Sequence, residues 1–179
     1  MKLRHVLLPL LLITGVPALM YSQFTLDSVE SKIARDYPIT HLPVDTLKTA
    51  LAGADSSSFL LFDVREKAEF DTSHIAGAIQ VDPDLSAEDF IRHYGKRIST
   101  KHLVFYCSVG KRSSILAERV EAEALKLGAA DVENLRGGIF RWYNDGYPVV
   151  DAQGETNAVH PYDDFWGQLL QKRTVHDKR

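Results

Sequence analysis

The chain holds a single cysteine, Cys107, followed at once by Ser108, Val109, Gly110, Lys111 and Arg112. Those residue types in that order suit nucleophilic chemistry on an anionic sulfur or oxygen group. Gly110 tolerates the positive φ that a tight inward curl of backbone needs, and successive inward N–H groups make a nest for an anion. The residues from Ser113 to Leu127 carry helical periodicity, with Leu116, Val120, Ala124 and Leu127 on one face. A helix beginning near Ser113 adds its unpaired first-turn donors and the positive end of its dipole behind the cysteine. Lys111 and Arg112 act in the same direction. The attacking species is a thiolate, which cationic and helix-terminal surroundings favour. A lone cysteine at the end of an apolar strand is commonly just a small buried hydrophobe, but a structural strand-to-helix connection has little use for Gly, Lys and Arg directly after it. Cys107 is therefore the expected catalytic residue, and Ser108, Val109, Gly110, Lys111 and Arg112 are the expected substrate-binding residues.

The elements that must position this loop are readable around it. Phe59–Val64 and His102–Tyr106 are continuous apolar runs of strand length, the pattern of strands buried on both faces of a parallel sheet. Ala78–Val81 and Asp131–Leu135 are weaker strand candidates, and helical segments fall at Val44–Leu51, Ser86–Tyr94 and Ser113–Leu127, the last stopped by Gly128. Strands alternating with helices predict an α/β fold with a parallel sheet whose strand C-terminal ends form the active edge.

Four segments taken in order resemble the rhodanese-like sulfurtransferases over roughly residues 38–150. They are Asp63-Val64-Arg65-Glu66 with Glu69-Phe70, the run from Ser73 to Ile79, the Cys107–Ser113 loop, and Leu135 to Trp142 leading on to Gly146-Tyr147-Pro148. The resemblance implies a three-layer α/β domain with a central parallel sheet flanked by helices, a persulfide carried on the cysteine, and loop amides that hold the transferred sulfur. On that reading Cys107 is the nucleophile and sulfur carrier, and the amides from Ser108 to Arg112 stabilise the anionic persulfide. Lys111 and Arg112 draw in the charged end of a donor such as thiosulfate, and a thiol or a cyanide-like acceptor removes the sulfur. Cell-division-cycle type dual-specificity phosphatases resemble the same fold but place five residues between Cys and Arg. Here four intervene, Ser108 to Lys111, a smaller cradle suited to one sulfur atom. A small cysteine-dependent phosphatase or arsenate reductase is thus the alternative enzyme, and a non-catalytic binding module the alternative outside enzymology. Position 108 is Ser where many thiosulfate-using members resemble Cys-Arg, which removes one cationic contact.

The remaining motif residues have structural readings. Asp63 and Arg65 are expected to hold turns through hydrogen bonds and an ion pair. His74 is expected to be a structural donor, because sulfur transfer to a formed thiolate needs no general base. Gly137 and Gly138 permit a tight entry into a following helix, and Trp142 fills core. The seven histidines, at 5, 41, 74, 93, 102, 160 and 176, show neither i,i+4 pairing nor a partner cysteine, so no metal is expected. No cofactor motif is present, and a net charge of −3 with scattered basic residues gives no nucleic-acid footprint.

The 179 residues, 45% of them hydrophobic, suit one globular domain with flanking segments. Met1–His5 is basic and Val6–Val16 apolar, so residues 1–22 read as a signal peptide or an uncleaved N-terminal anchor, and the expected location is periplasmic or otherwise exported. Residues 23–37 read as an N-terminal extension with a helix over Asp27–Arg35. Asp151–His160 reads as a linker. Asp163 or Asp164 would cap a short helix bearing Phe165, Trp166, Leu169 and Leu170 on one face, expected to pack back on the domain or to meet a partner. Gln171–Arg179 reads as a frayed tail.

Overall fold

The computed structural model describes residues 24–173. Five parallel strands form the central sheet in the order β1-β5-β4-β2-β3, with β1 at Thr40–Leu42, β2 at Phe59–Asp63, β3 at Ile79–Gln80, β4 at His102–Tyr106 and β5 at Asp131–Leu135. The two apolar runs are the central neighbours, β2 and β4, paired from Phe59 with His102 to Asp63 with Tyr106. Side chains alternate across the sheet. Leu61, Val104, Tyr106 and Leu135 face helices α1 (Leu26–Asp36), α2 (Val44–Ala52) and α6 (Gly138–Asn144). Phe62, Leu103, Phe105 and Cys107 face α4 (Ala87–Tyr94) and α5 (Lys111–Lys126). On this second face Phe62, Phe90 and Phe105 lie with ring centroids 5.0–5.5 Å apart, each buried ring worth on the order of 2–3 kcal/mol.

Several elements differ from the sequence reading. Helix α5 begins at Lys111, two residues before Ser113, because Gly110 takes φ 104° and serves as its N-cap. Lys111 and Arg112 therefore belong to the first helical turn. Gly128, at φ 87°, ends that helix as expected. The short helix α3 (Lys67–Thr72) and edge strand β1 carry too few residues to show a period. The expected linker at Asp151–His160 instead opens as the hairpin of β6 (Val149–Asp151) and β7 (Gly154–Thr156). Asp151 Oδ1 accepts from the N–H groups of Gln153 and Gly154, which closes the turn. A backbone bridge between His74 and Val150 fixes the hairpin to the domain.

The C-terminal segment packs back on the domain, and its short helix is a 3₁₀ helix at Trp166–Leu169. Asp163 Oδ1 accepts from the Trp166 N–H, Leu169 is buried, and Phe165 stays 53% exposed. The start of the expected frayed tail is also anchored, since Gln171 N–H donates to Asn144 and the Arg173 guanidinium stacks 3.9 Å from the Tyr143 ring. In the N-terminal extension, α1 is capped by Thr25. The expected signal or anchor segment, residues 1–22, lies outside the described residues. Among the described residues no helix is long and apolar enough to cross a membrane.

Candidate active site

Strand β4 delivers Cys107 to the C-terminal edge of the sheet, where the residue is 1% exposed. The chain then turns through Ser108 and Val109, both 5% exposed, into Gly110. The Gly110 N–H donates to Cys107 Sγ at 3.2 Å, so a backbone dipole points at the sulfur, where it stabilises negative charge. The turn is braced behind: Ser114 Oγ donates to the Gly110 carbonyl at 2.7 Å, and Ser113 Oγ donates to Asn134 Oδ1 at 2.6 Å. A Cβ on residue 110 would stand 3.1 Å from Asn134 Nδ2.

The start of α6 clamps the same loop from the other side. Ile139 N–H donates to the Cys107 carbonyl at 2.9 Å and Phe140 N–H to the Ser108 carbonyl at 3.0 Å. Gly138 makes this approach possible. It has φ 56°, and a Cβ there would collide with both carbonyl oxygens, that of Ser108 at 2.7 Å. The Gly137-Gly138 pair thus does more than open a helix: it lets the helix close on the cysteine loop.

Arg112 turns inward. Its two terminal nitrogens meet both oxygens of Glu69 at 2.7 and 2.8 Å, and one also donates to Ser108 Oγ at 3.1 Å. Ser108 Oγ donates to Glu69 Oε1 at 3.0 Å, closing a triangle. Burial of Glu69 would raise its pKa, but the Arg112 guanidinium, the Glu66 N–H and the Ser108 hydroxyl together hold it below the ordinary carboxylate value. Burial likewise disfavours the charged Arg112, and the hydrogen bonds and charges of Glu69 and Cys107 overcome it, so Arg112 remains a cation. Its charge is balanced by Glu69, whereas Lys111 is exposed and makes no ion pair among the described residues. Glu69, part of the first motif segment, is the central site residue to which the sequence assigned no role; its pairing with Arg112 appears only in the fold.

Asp63 and Arg65 have the structural role expected. Both are fully buried, joined by bonds of 2.9 and 2.6 Å, and Arg65 also donates to the Ser73 carbonyl at 2.6 Å. His74 Nδ1 lies 3.1 Å from the Phe70 carbonyl, and its ring stacks on Phe70 at 3.9 Å, which makes it structural. Trp142 is core, with Nε1 donating to the Pro148 carbonyl at 2.8 Å.

A cavity of about 330 Å³ opens over the cysteine, lined by Cys107, Ser108, Val109, Lys111, Arg112, Ile115, Tyr162 and Trp166. Five of the six expected site residues line it, and the sixth, Gly110, lies behind with its N–H on the sulfur. Tyr162 and Trp166 come from the far C-terminal segment. Among the described residues no group of three or more His, Cys, Asp or Glu side chains is placed to hold a metal ion.

Comparison with known proteins agrees with this architecture. A tRNA uridine(34) hydroxylase of Staphylococcus aureus is 31% identical over 109 residues, covering 59% of this chain and 32% of that protein. The enzyme of the same name from Bacillus velezensis is 29% identical over 107 residues, with 59% and 31% covered. The chain therefore spans about a third of the length of these curated relatives. Among solved structures, the BH2092 protein of Bacillus halodurans superposes with a TM-score of 0.54 at 22% identity, covering 73% of this chain and 89% of that one. A thiosulfate sulfurtransferase of Pseudomonas aeruginosa superposes at 0.53 and 20% identity, with 76% and 25% covered; both likenesses concern the fold. The rhodanese-like domain model matches residues 44–145, from the first residue of α2 to just past α6. That span holds the cysteine, the loop around it and both of its clamps, and the chain belongs to the rhodanese-like domain family.

Proposed function

We propose that the protein is a sulfurtransferase that moves a sulfane sulfur from an anionic donor to a thiophilic acceptor through a persulfide on Cys107. The observation that carries this reading is the Gly110 N–H held 3.2 Å from Cys107 Sγ at the end of a four-residue Cys-to-Arg turn. With thiosulfate as donor, the Cys107 thiolate attacks the sulfane sulfur. The new S–S bond forms as the bond to the sulfonate sulfur breaks, and sulfite leaves with the electron pair. The terminal sulfur of the persulfide keeps the negative charge, beside loop amides whose partial positive charge favours it. A thiolate or cyanide then attacks that outer sulfur and Cys107 departs as the thiolate. No oxidant, metal or general base enters either step.

The phosphatase alternative is less well served. A phosphoryl group wants a wider ring of donors and an unpaired guanidinium, whereas Arg112 is held bidentate by Glu69. The tRNA chemistry in the relatives' name is not carried to this chain, since the match reaches about a third of their length and the net charge is −3, opposite to a polyphosphate-binding surface. An exported location is part of the proposal, supported by the basic and apolar order of residues 1–16. The test is thiocyanate formation from thiosulfate and cyanide by the purified protein. Turnover abolished in Cys107→Ser is expected; equal turnover in that variant would end the reading.

A further inference from the structure

The family match ends at residue 145, yet two walls of the cavity over Cys107 come from beyond it. Residues 157–170 form a strap pinned to α6 at both ends. Tyr143 Oη donates to the Asn157 carbonyl at 2.9 Å, and Asn144 Nδ2 donates to the Leu169 carbonyl at 2.8 Å. Between these anchors Tyr162 holds φ 68°, a left-handed conformation uncommon for a bulky residue. Its N–H donates to His160 Nδ1 at 3.0 Å, and its ring lies 4.8 Å from the Arg112 guanidinium carbon. Strain of this kind persists where surrounding contacts enforce it, commonly at ligand sites. Trp166 is seated by Asp163 beneath it and by the rings of Phe24 and Phe165 beside it.

We propose that Tyr162 and Trp166 are specificity-determining residues that select an organic sulfane-sulfur donor with an apolar body over a small inorganic oxyanion; this rests on the sulfur-transfer reading of Cys107. The cavity, at about 330 Å³, is in the size range of sites for organic ligands, and an inorganic oxyanion fills only a fraction of it. Its wall is apolar at Val109, Ile115, Tyr162 and Trp166, and Lys111 adds an exposed cation that pairs with no carboxylate among the described residues. An anionic sulfur end fits beside Cys107 and Lys111, and an apolar body fits against the two rings. For a thiosulfonate, the Cys107 thiolate attacks the sulfane sulfur, the donor's S–S bond breaks, and a sulfinate departs with the electron pair. The persulfide left behind is the same one thiosulfate would give.

The experiment compares benzenethiosulfonate with methanethiosulfonate, reading initial rates of persulfide formation on Cys107 by intact-mass spectrometry. Wild type and the Tyr162→Ala/Trp166→Ala double variant are run in parallel, so that the intrinsic reactivity of the two donors cancels between proteins. The double variant is expected to lower the benzene-to-methane rate ratio by about tenfold, the scale of one or two ring–ring contacts. Tyr162→Phe should keep the wild-type ratio. An unchanged ratio in the double variant, or an equal fall in both rates, would overturn the selectivity role while leaving the sulfurtransferase standing. Failure of the wild type to form a persulfide with either donor would instead remove the sulfur-transfer reading beneath it.

Discussion

At the scale of single residues, the site depends on a charge that the protein has turned inward. Arg112 lies in the first turn of α5 and Glu69 in α3, 43 residues away in sequence. Cys107, Gly110 and the basic pair were legible because a nucleophile, a positive-φ turn and a helix start are all written locally. The Glu69 partnership was not, since nothing in a helix six residues long says which cation it will meet. Glu69→Gln leaves a half-buried guanidinium without its counter-charge, and chemical denaturation should show a loss of about 3 kcal/mol, the lower end for breaking such a pair because Arg112 keeps some solvent contact. The pH dependence has a definite sign. The folded pKa of Glu69 lies below its unfolded value of about 4.3, so the unfolded chain takes up the proton first as pH falls. Its contribution is full above pH 4.3 and is lost as pH drops through the lower folded value. Urea titrations between about pH 5 and pH 2 should show this loss in wild type and a shallower one in Glu69→Gln. An equal slope in both proteins would contradict it.

At the scale of elements, the cysteine loop is held between two helix starts, and each start is set by a glycine. Gly138→Ala puts a methyl into the Cys107 and Ser108 carbonyls, so α6 must withdraw and release the Ile139 and Phe140 N–H groups from the loop. Gly77 has a comparable φ of 80° but nothing within 4 Å of where its Cβ would stand. Gly77→Ala should therefore cost about 1 kcal/mol of backbone strain with cyanide turnover kept, whereas Gly138→Ala should lower turnover at least tenfold. Similar turnover in the two variants would show that the α6 clamp is not needed. The glycine doublet was visible in the sequence as a tight helix entry, but its target was not, because only the fold brings residue 138 to residue 107. The strand-length apolar runs at β2 and β4 were legible for the opposite reason: burial on both faces leaves a continuous apolar signature. Strands of three residues, β1, β6 and β7, carry none, and the Asp-Ala-Gln-Gly turn between β6 and β7 reads as linker until Asp151 is seen closing it.

At the scale of the whole molecule, the matched domain of residues 44–145 is wrapped by segments on both sides of it in sequence. From the N-terminal side, Glu30 of α1 is 6% exposed and meets Arg136 at 3.1 Å and Arg141 at 2.6 Å, beside Gly137 at the mouth of α6. From the C-terminal side, the strap reaches the cavity, and Phe24 meets Phe165 at 4.3 Å where the two extensions touch. Glu30→Ala leaves two guanidinium groups without their shared carboxylate and should cost about 2–3 kcal/mol. Hydrogen exchange should quicken across residues 26–36 in that variant; unchanged protection there would show that apolar packing alone holds α1. The parallel α/β architecture was legible from alternating elements, while the wrapping was not, since the apolar face at Phe165, Trp166, Leu169 and Leu170 says that something is covered without saying what. Whether Cys107 carries sulfur is read from the intact mass of the purified protein after thiosulfate, with Cys107→Ser alongside and cyanide added afterwards. The expected result is the gain of one sulfur atom on the wild type alone, removed by cyanide. A gain of equal size on Cys107→Ser, or no gain with thiosulfate or any organic sulfane donor, would contradict it.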